Sequence, residues 1–225
     1  MIIWFLIGHV FGDHLNMKII SHRGLWNEDA EKNSRGSFER SFYEGFGTET
    51  DIRDSKGQLV ISHDIPSGDE VGLSKFLSLA ASNQYNRTLP IALNIKSDGL
   101  ADTLLKVLQG YSNLDIFVFD MSIPDMRSYL MAGLNVFSRM SEVETTPVWL
   151  DQCAGIWLDS FDSDWYSEIL VMDLLNSGKR VCIVSPELHG RNYSFLWQTL
   201  LPLRECSGLI LCTDYPMQAR QYFEL

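Results

Sequence analysis

The chain has 225 residues, of which 45% are hydrophobic and 21% charged, a composition typical of one soluble globular domain. Its formal net charge of −11 argues against nucleic acid and anionic membrane surfaces as partners, because both need a basic footprint. The four cysteines form no CxxC pair, and Cys182 and Cys212 lie in apolar runs. We therefore expect free buried thiols, a reducing cytoplasmic compartment and no zinc site.

The first segment, Met1 to Phe11, is apolar but too short to span a bilayer, and it lacks the basic region and cleavage site of a signal peptide. Met17 opens the run MKIISHRG, which has the form of a natural start. We expect residues 1–16 to be an extension outside the fold and residues 17–225 to form one domain. An interfacial anchor is the alternative interpretation of the extension.

After Met17, short apolar strands alternate with helices. Eight strands are predicted at 18–21, 48–52, 91–95, 116–119, 136–138, 155–158, 181–184 and 209–212. The second strand is followed by a hairpin-like insert that turns at Ser55-Lys56-Gly57 and returns over 59–62. Ser122 and Ser163 are the predicted N-caps of two of the helices.

Strands that are continuous apolar runs are typical of parallel sheets buried on both faces. Eight strand–helix units favour an α/β fold, a single closed (β/α)₈ TIM barrel. The alternative is an open doubly wound sheet, which normally has a glycine-rich turn after its first strand. Here the first strand ends in Ser-His-Arg-Gly, so the barrel is preferred.

Polar side chains gather at the predicted C-terminal end of every strand, which is the end of an α/β barrel that carries the active site. In chain order they are His22 and Arg23, Glu49 and Asp51, His63, Asn94 and Lys96, Asp120, Arg139, Asp159, Glu187 and His189, and Asp214. A uniform scatter of polar residues would not give this pattern, so we expect one site built from these strand ends.

Glu49 and Asp51 are two residues apart on one strand, so their side chains point to the same face. Two carboxylates inside a barrel are costly unless they bind a cation or pair with one. A hard oxygen-liganded ion, Mg²⁺ or Ca²⁺, suits them. The alternative is that they form ion pairs with Arg23, Arg53 or Lys96.

His22 and His63 flank this pair of acids. Breaking a P–O bond needs one group to take a proton and another to give one, and imidazole does both near neutral pH. Arg23 and Lys96 are candidates to hold phosphate oxygens. Their alternative role is to neutralise the two acids.

These segments resemble the glycerophosphodiester phosphodiesterase family. The likeness rests on His22-Arg23-Gly24, Glu31-Lys32-Asn33, Glu49-Thr50-Asp51-Ile52, Gly57, His63-Asp64, Gly208-Leu209-Ile210 and Thr213-Asp214-Tyr215-Pro216. It extends from Lys18 to the C-terminus, strong at both ends of that span and weak between them.

The resemblance implies a TIM-barrel hydrolase that uses one divalent cation. With the paired histidines and acids, we expect it to cleave a small glycerophosphodiester-like or glycan-linked phosphodiester. It implies His22 and His63 as the acid–base pair, Glu49 and Asp51 as metal ligands, and Arg23 and Lys96 as phosphate contacts. It also implies either attack by a substrate hydroxyl, which gives a cyclic phosphate, or direct attack by water.

The chain departs from the family at Asn94, where the family usually has the glutamate of a Glu-x-Lys motif. Asn94 can ligate through its carbonyl oxygen but carries no charge, and Asp120 or Glu142 are the acids that would substitute. The loops that carry Asp120, Arg139, Asp159 and Glu187 are expected to bind the substrate. We expect them to select a substrate other than plain glycerophosphocholine.

Two other functions remain open. One is a membrane-acting enzyme like sphingomyelinase D or phosphatidylinositol-specific phospholipase C, for which Trp26 and the N-terminal segment are the only hints and against which the acidic charge argues. The other is a barrel that binds phosphodiesters without cleaving them. The paired histidines argue against it, since a pure binder needs no acid–base pair.

Overall fold

A computed structural model describes residues 16–82 and 89–225 of the chain. Apart from Asn16, the expected extension lies outside the described residues. The strands are β1 (Lys18–His22), β2 (Gly47–Ser55), β3 (Gln58–Ile61), β4 (Pro90–Ile95), β5 (Asp115–Phe119), β6 (Phe137–Met140), β7 (Gly155–Leu158), β8 (Arg180–Val184) and β9 (Leu209–Thr213). The helices are α1 (Arg35–Tyr43), α2 (Leu73–Ala81), α3 (Ala101–Leu108), α4 (Ile123–Met131), α5 (Glu168–Asn176), α6 (Ser194–Leu200) and α7 (Pro216–Phe223).

The strands form a nearly closed barrel. Eight of them are parallel and lie in the order β5-β4-β2-β1-β9-β8-β7-β6, while β3 pairs antiparallel with β2 as the return of the expected insert. The two ends of the path meet at one parallel bridge between Val118 and Val136. This confirms the predicted TIM barrel over the open sheet, and it brings the C-terminal ends of all eight strands to one mouth.

Aromatic side chains fill one side of the barrel interior. Phe117 stacks on Phe137 with ring centroids 3.8 Å apart, and Phe119 stacks on Trp157 at 3.7 Å. The inward positions on the opposite side carry the smaller Ile20 and Ala92. The rings therefore pack beneath the β5–β7 part of the mouth, and the β1–β4 part is where buried polar groups replace them.

The helices pack around the barrel through two further apolar clusters. Ser122 caps α4 as predicted, because its side chain accepts from the N–H of Asp125. Ser163 does not cap α5, which begins only at Glu168. The four cysteines are free, and Cys182 and Cys212 are buried as predicted. Within the described ranges, no helix is long and apolar enough to cross a bilayer.

Candidate active site

The turn after β1 positions His22 and Arg23. The backbone reverses through Arg23 at φ 58° and Gly24 at φ 88°, and the N–H of Arg23 donates to the carbonyl of Glu49 at 3.0 Å. A Cβ on Gly24 would lie 2.4 Å from Ser37 Oγ, so both the dihedral and the space require glycine there. This turn places the Arg23 side chain next to Asp51.

Asp214 fixes the ring of His22. Its Oδ1 lies 2.7 Å from His22 Nδ1, so Nδ1 carries the proton and Nε2 keeps its lone pair. Nε2 in turn lies 3.9 Å from Glu49 Oε2. Burial lowers the pKa of His22 below its ordinary value, although the hydrogen bond and charge of Asp214 raise it. The ring is therefore set up to be neutral and to accept a proton at Nε2.

Glu49, Asp51 and Asn94 point into the barrel and are buried, with 2%, 0% and 8% of their surfaces exposed. Asp51 is directly opposite Asn94 in the β2–β4 register, and Glu49 is opposite His22 in the β1–β2 register. One buried oxygen of each residue accepts no hydrogen bond: Glu49 Oε2, Asp51 Oδ1 and Asn94 Oδ1. A buried oxygen without a hydrogen bond costs free energy, and of the three only Asp51 Oδ1 has a nearby cation, Lys96 Nζ at 3.4 Å, so the group has room for a further positive partner.

The alternative of ion pairing is realised for Asp51. Arg23 Nε lies 3.0 Å from its Oδ2 and Lys96 Nζ lies 3.4 Å from its Oδ1. Asn33, which the family-like Glu-Lys-Asn segment supplies, donates to Oδ2 at 2.9 Å. No lysine or arginine of the described residues lies within ion-pair distance of Glu49, and burial together with the charge of Asp51 raises its pKa to about 8.

The donor set suits a hard divalent cation. Glu49 and Asp51 offer two carboxylates and Asn94 an amide oxygen. Within residues 16–82 and 89–225, no three His, Cys, Asp or Glu side chains are grouped to hold a metal ion, so a three-ligand site here would need the amide of Asn94. The two acids expected as substitutes are engaged elsewhere. Asp120 accepts from Arg139, and Glu142 accepts from the N–H of Asp162.

His63 lies at the same mouth, because Ser62 N donates to Asp51 O at 3.1 Å. Its side chain is 47% exposed, and its Nδ1 is 3.0 Å from Asp64 Oδ1. In the described part of the chain it makes no hydrogen bond or ion pair with His22, Glu49 or Asp51. We call His22, Arg23, Glu49, Asp51, Asn94 and Lys96 the first sector of the mouth.

The ends of β5 to β8 form a second sector, which consists of Asp120, Arg139, Asp159, Phe161 and His189. Here both acids lie beside a basic side chain: Arg139 Nη1 is 2.9 Å from Asp120 Oδ1, and His189 Nε2 is 2.7 Å from Asp159 Oδ1. The hydrogen bond to Asp159 raises the pKa of His189. Asp120, Arg139 and Asp159 thus lie where the sequence placed them, and His189 joins them.

Glu187, unlike the other predicted binding residues, makes its side-chain contacts with the segment that follows β9. Its two carboxylate oxygens accept from Ser185 Oγ, from Thr213 Oγ1 and from the N–H of Asp214. Burial raises its pKa. Glu187 therefore holds the Thr213–Asp214 segment, and Asp214 is the hydrogen-bond partner of His22. Asp214 itself was visible in the sequence only as a strand-end acid, because no local pattern shows which histidine it holds.

No family model matches the chain, and no curated protein matches it. Its fold is similar to those of several crystal structures, among them three that are each 13% identical in sequence. A glycerophosphodiester phosphodiesterase from Agrobacterium tumefaciens gives a TM-score of 0.68 over 93% of this chain and 100% of its own. A protein assigned as a glycerophosphoryl diester phosphodiesterase from Silicibacter pomeroyi gives 0.66 over 95% of both chains. A glycerophosphoryl diester phosphodiesterase from Parabacteroides distasonis gives 0.55 over 95% of this chain and 88% of its own.

Proposed function

We propose that this protein is a metal-dependent phosphodiesterase that hydrolyses a glycerophosphodiester-like or glycan-linked phosphodiester at the first sector. The observation that carries the proposal is the group of three buried oxygens without donors, on Glu49, Asp51 and Asn94, beside a histidine held by a carboxylate. The fold shared with phosphodiesterases from three bacteria supports the reaction class.

Glu49, Asp51 and Asn94 would hold one Mg²⁺ or Ca²⁺ through their side-chain oxygens. When bound, such an ion supplies positive charge to the phosphate oxygens and to the buried carboxylates. Arg23 and Lys96 would add two fixed positive charges for the non-bridging oxygens, with the guanidinium suited to a bidentate contact.

His22 Nε2 would take the proton of the attacking hydroxyl, whether that hydroxyl belongs to the substrate or to water. Asp214 would stabilise the imidazolium that forms, through the hydrogen bond at Nδ1. His63 would give a proton to the leaving oxygen, and its 47% exposure leaves it able to reach a substrate over the mouth.

Hydrolysis of bis(p-nitrophenyl) phosphate tests the proposal, measured with Mg²⁺, Ca²⁺, Mn²⁺ or EDTA. We expect metal-dependent turnover that falls on the order of 10²-fold or more in His22→Ala and in Glu49→Ala. Glu28→Ala, at an exposed position, is the matched control and should retain full activity. Turnover that EDTA leaves unchanged would contradict the metal site. Binding of the diester without turnover in any metal would favour the non-catalytic barrel.

A further inference from the structure

The histidine that we assign as the proton donor lies on an exposed loop. His63 follows β3, and its side chain is 47% exposed. None of residues 63–70 is buried, and the loop ends where the carbonyl of Val71 accepts from the N–H of Ile61 at 2.9 Å. Apolar packing therefore does little to fix the position of His63, and hydrogen bonds have to do it.

A hydrogen bond from Arg53 holds this loop. Arg53 Nε donates to the backbone carbonyl of His63 at 3.1 Å. The other hydrogen bonds of residues 63–70 join the loop to itself or to its neighbour Ser62. Among the residues that the structure describes, Arg53 is thus the only one outside residues 62–70 that forms a hydrogen bond with the loop.

Strand alternation places Arg53 on the side of the site. It is two residues beyond Asp51 and four beyond Glu49 on β2, so its side chain leaves the same face of the strand. At this point β2 has passed the barrel, and Arg53 lies opposite Val60 of β3 in the hairpin register. The guanidinium therefore stands above the two acids, where the chain returns to His63.

The charge of Arg53 is not used to neutralise the acids, which was the alternative left open by the sequence. Within the described ranges Arg53 forms no ion pair, and the cations that approach Asp51 are Arg23 and Lys96. A guanidinium is planar, stays charged and donates in fixed directions. It is therefore suited to hold one carbonyl in one place.

We propose that Arg53 is a positioning residue that holds His63 beside the leaving oxygen of the phosphodiester. This rests on the proposed function for the role of His63. When the P–O bond breaks, its electron pair stays on the leaving oxygen, and the proton from the His63 imidazolium neutralises that oxygen. Proton transfer needs hydrogen-bond distance, so a displacement of about 1 Å in the loop is enough to lose much of the rate.

Two diesters that differ in the basicity of the leaving group test this, bis(p-nitrophenyl) phosphate and diphenyl phosphate. p-Nitrophenolate leaves without a proton because its nitro group spreads the charge, whereas the more basic phenolate depends on the acid. Arg53→Ala should lower kcat about tenfold for diphenyl phosphate and less than about twofold for bis(p-nitrophenyl) phosphate. Arg53→Lys keeps a donor and should recover part of the loss. Arg127→Ala, at an exposed position on α4, is the matched control and should change neither value.

A double substitution shows whether Arg53 acts through His63. His63→Ala should have the same selectivity for the leaving group, and Arg53→Ala added to it should lower kcat by less than about twofold more. A full further loss would overturn the inference, because Arg53 would then act on the substrate itself. Equal losses for the two diesters in Arg53→Ala alone would also overturn it. If His63→Ala shows no selectivity, the acid named under the proposed function is wrong.

Backbone ¹⁵N relaxation in EDTA tests the contact without turnover. The order parameters of the His63 and Asp64 amides should fall below about 0.6, the range of flexible backbone, in Arg53→Ala and not in Arg127→Ala. Unchanged order parameters would overturn the inference whatever the protein hydrolyses. If they fall in a protein that hydrolyses neither diester with any metal, the proposed function fails and the hold of Arg53 on the loop stands.

Discussion

The two sectors of the mouth are built from the same kinds of residue and treat charge in opposite ways. In the second sector each carboxylate lies beside a basic side chain, as Asp159 Oδ1 lies 2.7 Å from His189 Nε2. In the first, Glu49 is 2% exposed, has no lysine or arginine of the described residues within ion-pair distance and keeps an oxygen that accepts no hydrogen bond. A carboxylate beside a basic side chain costs little to hold at the mouth of the barrel. A buried carboxyl group without such a partner destabilises the fold and persists where a function needs it.

The largest effect on activity is expected from the loss of the Asp214 charge that is hydrogen-bonded to His22. Asp214→Asn removes the charge that stabilises the imidazolium, so kcat should fall on the order of 10²-fold. Steady-state kinetics on bis(p-nitrophenyl) phosphate measure this. Asp151→Asn, at an exposed position away from the mouth, is the matched control. A variant with unchanged kcat would show that His22 needs no carboxylate partner, and the acid–base role of His22 would then be in doubt.

The buried carboxyl group of Glu49 should also lower the free energy of unfolding of the metal-free protein. Glu49→Gln removes a buried carboxylate whose pKa is raised to about 8, so in EDTA the free energy of unfolding should rise by about 2 kcal/mol. Urea unfolding measures it. The same substitution at exposed Glu28 should change stability by less than about 0.5 kcal/mol. If Glu49→Gln is less stable than the unaltered protein, Glu49 is satisfied in the metal-free fold and the contrast between sectors fails.

The sequence predicted the barrel well because its signals are local. Continuous apolar runs gave all eight barrel strands within a few residues, and the insert appeared as the antiparallel β3. Helix starts were less certain: Ser122 caps α4, but Ser163 is five residues before Glu168, where α5 begins. Residues 163–167 supply contacts to neighbouring loops, and a serine there cannot be told from a cap by sequence alone.

For the site, the sequence identified which strand ends matter but not which side chains pair. Glu49 and Asp51 share a face because strand alternation requires it. That Arg23 and Lys96 both approach Asp51, or that His22 belongs to Asp214 at a separation of 192 residues, depends on barrel register. Glu187 accepts hydrogen bonds from Thr213 and from the N–H of Asp214, contacts that the sequence did not predict, and its role as a substrate contact stays a prediction.

Glu187 links the sectors, since its loop also carries His189. Glu187→Ala should lower kcat about tenfold with little change in KM, because the Thr213–Asp214 segment loses its acceptor and His22 is held less firmly. Glu187→Gln keeps an acceptor oxygen and should recover most of the activity. An increase in KM without a fall in kcat would instead return Glu187 to the role of substrate contact that the sequence suggested.

The smallest effect concerns the pairing within the second sector. The hydrogen bond to Asp159 raises the pKa of His189, although burial and Arg191 lower it and Glu142 adds to the rise. A histidine whose pKa is raised on folding adds stability that is fully present below its unfolded pKa of about 6.5 and is lost as pH rises through the folded value. Asp159→Asn should therefore destabilise the protein more at pH 5.5 than at pH 8.5, by about 1 kcal/mol.

Urea unfolding at the two pH values measures this difference, and Asp164→Asn is the matched control. Asp164 pairs with Arg191, which stays charged throughout this range, so the cost of its substitution should be the same at both pH values. An equal cost for Asp159→Asn at both would mean that His189 is bound as a neutral ring.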